Sequence, residues 1–200
     1  MCKIGSSSRS RAKLLAAVTA VLDATEDIER VTITDIVNRA GLTRPTFYAA
    51  FDDLPTAFAA AALARLEDAF ADLDAAVGDV DEGRAALMRE NFTIVLRRLS
   101  DNAEFFARVL RGPGGGIVQA RLVEFVASRL RRHSPASVAL ARGPLPVEMT
   151  SAALAAGVMW TMLRWLEDDP RMPVPELAAQ LSAYVEMSVF KGLGTGAQVV

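Results

Sequence analysis

Residues 32–51 read TITDIVNRAGLTRPTFYAAF, and this stretch decides the fold. Thr32 has the chemistry of a helix N-cap, and Asp35 three residues later makes a short-armed capping box with it. Ile33, Ile36, Val37 and Ala40 then fall on one side of a short helix. Gly41-Leu42 ends it, and the glycine sits where the chain reverses and a positive φ is expected. Thr43 is expected to cap a second short helix over residues 44–50, with Pro45 tolerated in its first turn. Ile36 and Ala40 can meet Phe47 if the two helices cross closely, which explains a residue as small as Ala40, while Leu42 fills the corner. Two short helices joined in this way make a helix-turn-helix, whose second helix is held out to enter a major groove.

The second helix carries a surface suited to DNA. Thr43 and Thr46 offer hydroxyls, Tyr48 a phenol and Arg44 a guanidinium that binds phosphate or reads guanine. The free N–H groups near Thr43–Pro45 favour a phosphate oxygen. Pro45 has no N–H, which leaves Arg44 and Thr46 as backbone donors there. With Thr32 at the start of the preceding helix, the expected DNA-binding set is Thr32, Thr43, Arg44, Pro45, Thr46 and Tyr48. Phe47 is expected in the core.

Outward from this stretch the pattern stays helical. Leu14, Leu15, Val18, Val21 and Leu22 mark a helix over residues 10–24. Asp52-Asp53, with Pro55 in the first turn, opens another that continues to about residue 76. Further helical patterns cover residues 83–99, 101–110, 116–133, 147–167 and 175–191. The breaks fall at residues 78–82, at Arg111-Gly112-Pro113-Gly114-Gly115-Gly116, at the Pro- and Gly-containing segment 134–146, and at Asp168-Asp169-Pro170 with Pro173. Gly192 is a plausible stop, and segments 1–8 and 194–200 are expected to fray. This gives an all-α chain of about nine helices. A three-helix helix-turn-helix domain over residues 9–52 is followed by a helical regulatory and dimerisation domain over residues 53–194.

Composition excludes several classes. Of 200 residues, 52% are apolar and 23% charged, which fits a globular chain. Net charge is −2, too acidic for a general nucleic-acid coat. Residues 1–50 nevertheless carry seven Lys/Arg against five Asp/Glu, and the remainder fifteen against nineteen. A basic head on an acidic body suits local phosphate contact. The single cysteine, Cys2, permits no disulfide within the chain and no zinc pattern. His133, the only histidine, ends a run with Arg129, Arg131 and Arg132 at a helix terminus, where a cation is favoured. Gly112–Gly116 lacks the Lys-Ser/Thr ending of a phosphate loop and follows no strand. Residues 147–166 are apolar, but Glu148 and Arg164 interrupt them, so they read as a buried helix rather than a membrane span. With no secretory signal pattern at residues 1–11, the expected compartment is the cytoplasm. No enzyme activity, cofactor or metal is expected.

The body carries two further expectations. Phe92, Leu96, Phe105, Phe106, Phe125, Met159, Trp160 and Leu163 are apolar groups at helical spacing, and together they suggest a cavity for a small hydrophobic ligand. Leu154, Val158, Leu166, Leu177, Leu181, Tyr184, Val185 and Val189 give the last two helices apolar faces. Two such helices at the end of a chain suggest a two-fold interface with a second copy, and a dimer would match a palindromic DNA operator.

The run VTITDIVNRAGLTRPTFYAAFDDLPTAF, residues 31–58, resembles the DNA-binding signature of the TetR family of transcriptional regulators. Thr32, Ile36, Ala40-Gly41, Thr43, Thr46-Phe47-Tyr48 and Phe51 stand in the family's order. The resemblance covers residues 10–66. The later segment with Trp160 and Leu163-Arg-Trp-Leu166, a short acidic turn and Pro175-Glu-Leu-Ala178 is also similar, less specifically. The resemblance implies that the first three helices read DNA and that the fourth links them to the body. It implies a ligand pocket in the body and a four-helix bundle made by the last two helices of two copies. A ligand would then swing the fourth helix and respace the two readers, releasing a repressor from its operator. Two positions depart from the family pattern. Asp53-Leu54-Pro55 stands where a cation often touches phosphate, and Ala49-Ala50 follows Tyr48 where a polar group is common. Lys3, Arg9, Arg11 and Lys13 are the basic residues available to compensate. Two other classes stay open: a DNA-binding module whose body takes a protein partner or nothing, and a carrier or enzyme with a vestigial helix-turn-helix.

Overall fold

The computed structural model describes residues 4–71, 73, 81–134, 136–142 and 145–191. The expectations for Cys2, Lys3, Gly78, Pro135, Gly143, Pro144, Gly192 and segment 194–200 lie outside these residues, as does the side chain of His133. Regular structure among the described residues is helical, with no strand. The helices are α1 (Ile4–Ala24), α2 (Ile33–Ala40), α3 (Arg44–Tyr48), α4 (Leu54–Phe70), α5 (Asp81–Asp101), α6 (Ala103–Arg111), α7 (Gly115–His133), α8 (Ser137–Ala141), α9 (Val147–Glu167) and α10 (Val174–Glu186). A 3-10 turn, Ile28–Arg30, joins α1 to α2, and a π turn, Met187–Lys191, follows α10.

Two differences from the sequence reading have simple causes. Helix α1 begins at Ile4 rather than near residue 10; Ser7, Ser8 and Arg9 are exposed, so the extension leaves no apolar periodicity to read. Helix α8 lies inside a segment that its prolines and glycine mark as loop. Ala136 and Leu140 are buried there, and packing rather than propensity holds a helix this short.

The chain divides into two compact units. The first comprises the chain up to Glu67 together with Asn102–Leu122. It therefore joins α1–α3 to most of α4, to α6 and to the start of α7. Leu14, Val18, Leu22, Ile36, Phe47 and Phe106 are inaccessible or nearly so and form its core.

Two arginines fix the end of α1 within this unit. Arg108 of α6 donates to the carbonyls of Leu22 (2.8 Å), Asp23 (3.3 Å) and Thr25 (2.6 Å). These lie in and just past the last turn of α1, where carbonyls lack helical donors and a cation is favoured. Arg65 of α4 pairs with Asp23, donates to Asn102 Oδ1 at 2.9 Å, and stacks over the Phe105 ring at 3.9 Å. The glycine-rich break also has a packing role. A Cβ on Gly112 would lie 2.6 Å from Ile28 Cγ2, and one on Gly114 would lie 2.5 Å from Pro55 Cβ. Gly114 also has φ +90°, so both space and backbone conformation call for glycine.

The second unit comprises Asp68–Asp101 and the chain from Val123 onward. Helix α10 lies along α5, burying Leu177, Ala178, Leu181 and Val185. Ser182 Oγ donates to the Ala85 carbonyl of α5 at 3.3 Å. Helix α9 buries eight residues, among them Leu154, Val158, Met159, Met162 and Trp165. Trp165 Nε1 donates to the Met172 carbonyl at 2.7 Å, which closes the link between α9 and α10.

Candidate nucleic-acid interface and ligand cavity

The expected cap of α2 is present in both directions. Asp35 N–H donates to Thr32 Oγ1 (3.2 Å), while Thr32 N–H (2.9 Å) and Thr32 Oγ1 (2.6 Å) donate to Asp35 Oδ2. The hydroxyl donor, followed by the backbone N–H, holds the Asp35 carboxyl below its ordinary range. At the other end of α2, Gly41 adopts φ 63° and ψ 38°, and its N–H reaches the Asn38 carbonyl. Leu42, half-buried, donates its N–H to the Val37 carbonyl at 2.9 Å. The turn is thus bonded on both sides of the reversal.

Helix α3 is anchored by Phe47, fully buried, and Phe51, 3% exposed, with ring centroids 5.6 Å apart. This anchoring leaves Thr43, Arg44, Pro45 and Tyr48 exposed and Thr46 half-buried. Tyr48 is 57% exposed and meets Phe47 edge-on at 5.7 Å. Its phenol has no hydrogen-bond partner among the described residues. Thr43 corrects one expectation: it stands at the N-cap position with extended φ and ψ, but makes no side-chain cap bond. Its hydroxyl bonds Thr46 Oγ1 instead, at 3.0 Å. Two hydroxyls paired this way leave the N–H groups at the start of α3 open to another acceptor.

Of three further contacts here, the first two escaped sequence reasoning. Arg44 does not project freely, since its NH2 donates to Thr34 Oγ1 at 2.9 Å and draws it toward the start of α2. Arg11, one of the four basic residues before the helix-turn-helix, donates to the Ala50 carbonyl at 3.0 Å and lies over the Phe51 ring at 4.8 Å. It ties α1 to the end of α3 while remaining exposed. Asp53 caps α4 by accepting the Thr56 N–H at 2.8 Å, which accounts for an acid where a cation would suit DNA. No local pattern marks the first two contacts, because their partners lie ten or more positions away. The third is a plain N-cap signal.

The eight residues expected to line a cavity are dispersed. Phe105 and Phe106 belong to the first unit, and both are buried. Leu96 and Met159 are buried in the core of the second. Trp160 is 60% exposed, and Phe125 and Leu163 are half-buried. Phe92 alone of the eight lines a cavity of about 90 Å³ in the second unit, partly open to solvent. Phe70, Met88, Val95, Val126 and Leu130 supply its apolar walls, and Asn91, Arg129 and Ser134 its polar groups. The Phe70 ring meets Phe125 edge-on at 5.4 Å and carries the Arg129 guanidinium 5.5 Å above it. Aromatic periodicity located core here. It could not distinguish a wall from a filled interior, because both need the same residue types.

Most of the expected dimer residues are covered within the single chain. Leu154, Val158, Leu166, Leu177, Leu181, Val185 and Val189 are each 2–5% exposed within the single chain. Their area is already covered, so they have little left to give a partner. Only Tyr184 of that set is exposed, at 40%. On α9 the outward apolar residues are Met149 and Trp160, with Ala153 and Ala156 exposed between them. On α10 and just beyond they are Tyr184 and Met187. A Cβ on Gly157 would lie 3.1 Å from the Tyr184 hydroxyl, so the tyrosine side chain of α10 reaches across to α9 at this face.

Among the described residues no group of three acidic, Cys or His side chains could hold a metal. No helix among them is long and apolar enough to cross a membrane. The sequence matches no family model and no curated protein sequence. In fold the chain is similar to a TetR-family transcriptional regulator from Streptomyces coelicolor, at 17% identity and TM-score 0.60, over 92% of this chain and 85% of that one. It is also similar to a TetR transcriptional regulator from Streptococcus agalactiae 2603V, at 17% identity and TM-score 0.52, over 90% of this chain and 95% of that one. The fold is thus that of TetR-like regulators, an all-helical chain with a helix-turn-helix in its first compact unit.

Proposed function

We propose that this protein is a DNA-binding transcriptional regulator of the TetR type, acting in the cytoplasm as a repressor that a small ligand releases from a palindromic operator. The observation that carries this reading is the outer face of α3. A buried Phe47–Phe51 pair holds the helix, and Thr43, Arg44, Pro45 and Tyr48 stand exposed on it. In a purely structural helix pair, nothing would require a tyrosine and an arginine at exposed sites beside open helix N–H groups. Thr32 and Thr46 complete the contact set, with phosphate as the partner of Tyr48 and of the α3 N-terminus. Arg44 would leave Thr34 to reach a base or phosphate.

The self-partner is a second copy joined through α9 and α10 by the face that carries Met149, Trp160 and Tyr184. The ligand site is the cavity beside Phe92 and Arg129. Helix α4 runs from the reader's unit to Phe70 at that cavity, and is the element through which a ligand would act.

Gel-shift titration against DNA upstream of the protein's own gene tests the reading. A complex is expected that weakens steeply with salt and that Arg44→Ala weakens by tenfold or more. No complex at low salt, or one indifferent to Arg44→Ala, would sink it. If DNA is bound but no small molecule changes its affinity or the protein's melting temperature, the body serves a protein partner instead.

A further inference from the structure

The second unit's cavity has a composition that selects among small molecules. Its walls are apolar, from Phe70 of α4 to Val95 of α5 and Val126 of α7. One cation, Arg129, is among the described residues lining it, with two neutral polar groups, Asn91 and Ser134. Arg129 is half-buried and stacks on Phe70 at 5.5 Å, and it has no carboxylate partner among the described residues. The neighbouring arginine of α7, Arg131, differs in this respect: it binds Glu124 Oε1 at 3.2 Å and Ser151 Oγ at 2.9 Å. A guanidinium held against an aromatic wall loses hydration whenever an uncharged ligand fills the space beside it. A carboxylate would supply a countercharge and accept its paired N–H donors.

We propose that this cavity takes a small amphipathic monocarboxylate, whose short apolar tail lies among Phe70, Phe92 and Val126 and whose carboxylate meets Arg129. The inference rests on the ligand-site reading above. Size limits the tail. The cavity measures about 90 Å³, less than the roughly 150 Å³ that holds a benzene ring. The buried part is therefore a short chain, with the head at the open edge. Charge limits the head to one negative unit, since a single guanidinium with two neutral neighbours balances a carboxylate and not a phosphate dianion.

Thermal unfolding of the full chain with hexanoate, hexanamide and hexylamine at constant ionic strength tests this. Hexanoate should raise the melting temperature at concentrations at least tenfold below those hexanamide needs, and hexylamine should have no effect. In Arg129→Gln the hexanoate and hexanamide curves should coincide. Arg129→Lys should keep a preference for the acid, and so should Arg132→Gln, which removes an exposed charge from the same helix. Equal shifts by acid and amide would overturn the carboxylate proposal and leave the ligand site standing. No shift by any of the three would overturn both. If Arg129→Gln does not fold, the comparison of acid with amide on the unaltered chain decides.

Discussion

Thr32 and Asp35 bond each other in both directions at the start of α2, and the helix-turn-helix begins with them. Thr32→Ala removes the cap and should cost about 1 kcal/mol of stability, read as a lower urea midpoint with unchanged slope. The Asp35 carboxyl is depressed from its ordinary value of 3.8 by the Thr32 donors. A depressed carboxylate stabilises the folded state above its unfolded pKa, and that contribution is lost as pH falls through the lower folded value. The stability gap between the protein and its Asp35→Asn variant should therefore be constant at neutral pH and shrink below about pH 4. A gap that widened toward acid would refute the assignment. Tyr48 tests a different point at the same scale. Its phenol is exposed and without a hydrogen-bond partner among the described residues, so Tyr48→Phe should leave stability within about 0.5 kcal/mol. Binding should weaken to all DNA sequences alike with the salt slope unchanged, since a neutral phenol releases no counterion, whereas a change confined to sequence preference would make Tyr48 a base reader.

At the level of elements, α6 and the glycine turn after it hold the end of α1 and the start of α4. Arg108 serves three carbonyls with one nitrogen, and Gly114 lets the turn lie against Pro55. Gly114→Ala should destabilise by about 1–3 kcal/mol, since it adds backbone strain to a contact with no room. Arg108→Met keeps most of the aliphatic stem but leaves the Leu22 and Thr25 carbonyls unserved. It should lower DNA affinity more than it lowers the melting temperature, because α1 carries the reader. An equal fall in both would make Arg108 a stability residue alone. The sequence marks residues 111–116 plainly as a break. It does not reveal that the break is also a packing surface, since Ile28 and Pro55 are distant in the chain.

For the whole molecule, the outward face of α9 and α10 is where the proposed dimer would form. Trp160 is 60% exposed and Met149 59%, a large apolar area for a chain to leave in water. Trp160→Glu should yield a folded monomer by sedimentation, with half-site DNA affinity only. Leu177→Ala instead removes a side chain buried against the chain's own core and should cost about 2–5 kcal/mol of stability. A dimer that survives Trp160→Glu would place the interface elsewhere.

Residues 32–51 made the helix-turn-helix legible, because most of its determinants are local: a cap at Thr32, a left-handed glycine at Gly41 and an aromatic anchor at Phe47. Helicity throughout the chain was legible for the same reason, since hydrophobic period and breakers act over a few residues. Which apolar face each helix buries was not legible. Leu154 and Trp160 both read as apolar positions of α9, yet one is covered by the chain itself and the other is open. The cavity beside Arg129, the Arg108 clamp and the Arg44–Thr34 bond likewise join residues far apart in sequence. Their existence depends on how separate helices meet, and that is fixed only when the tertiary structure chooses which surfaces to exclude from water.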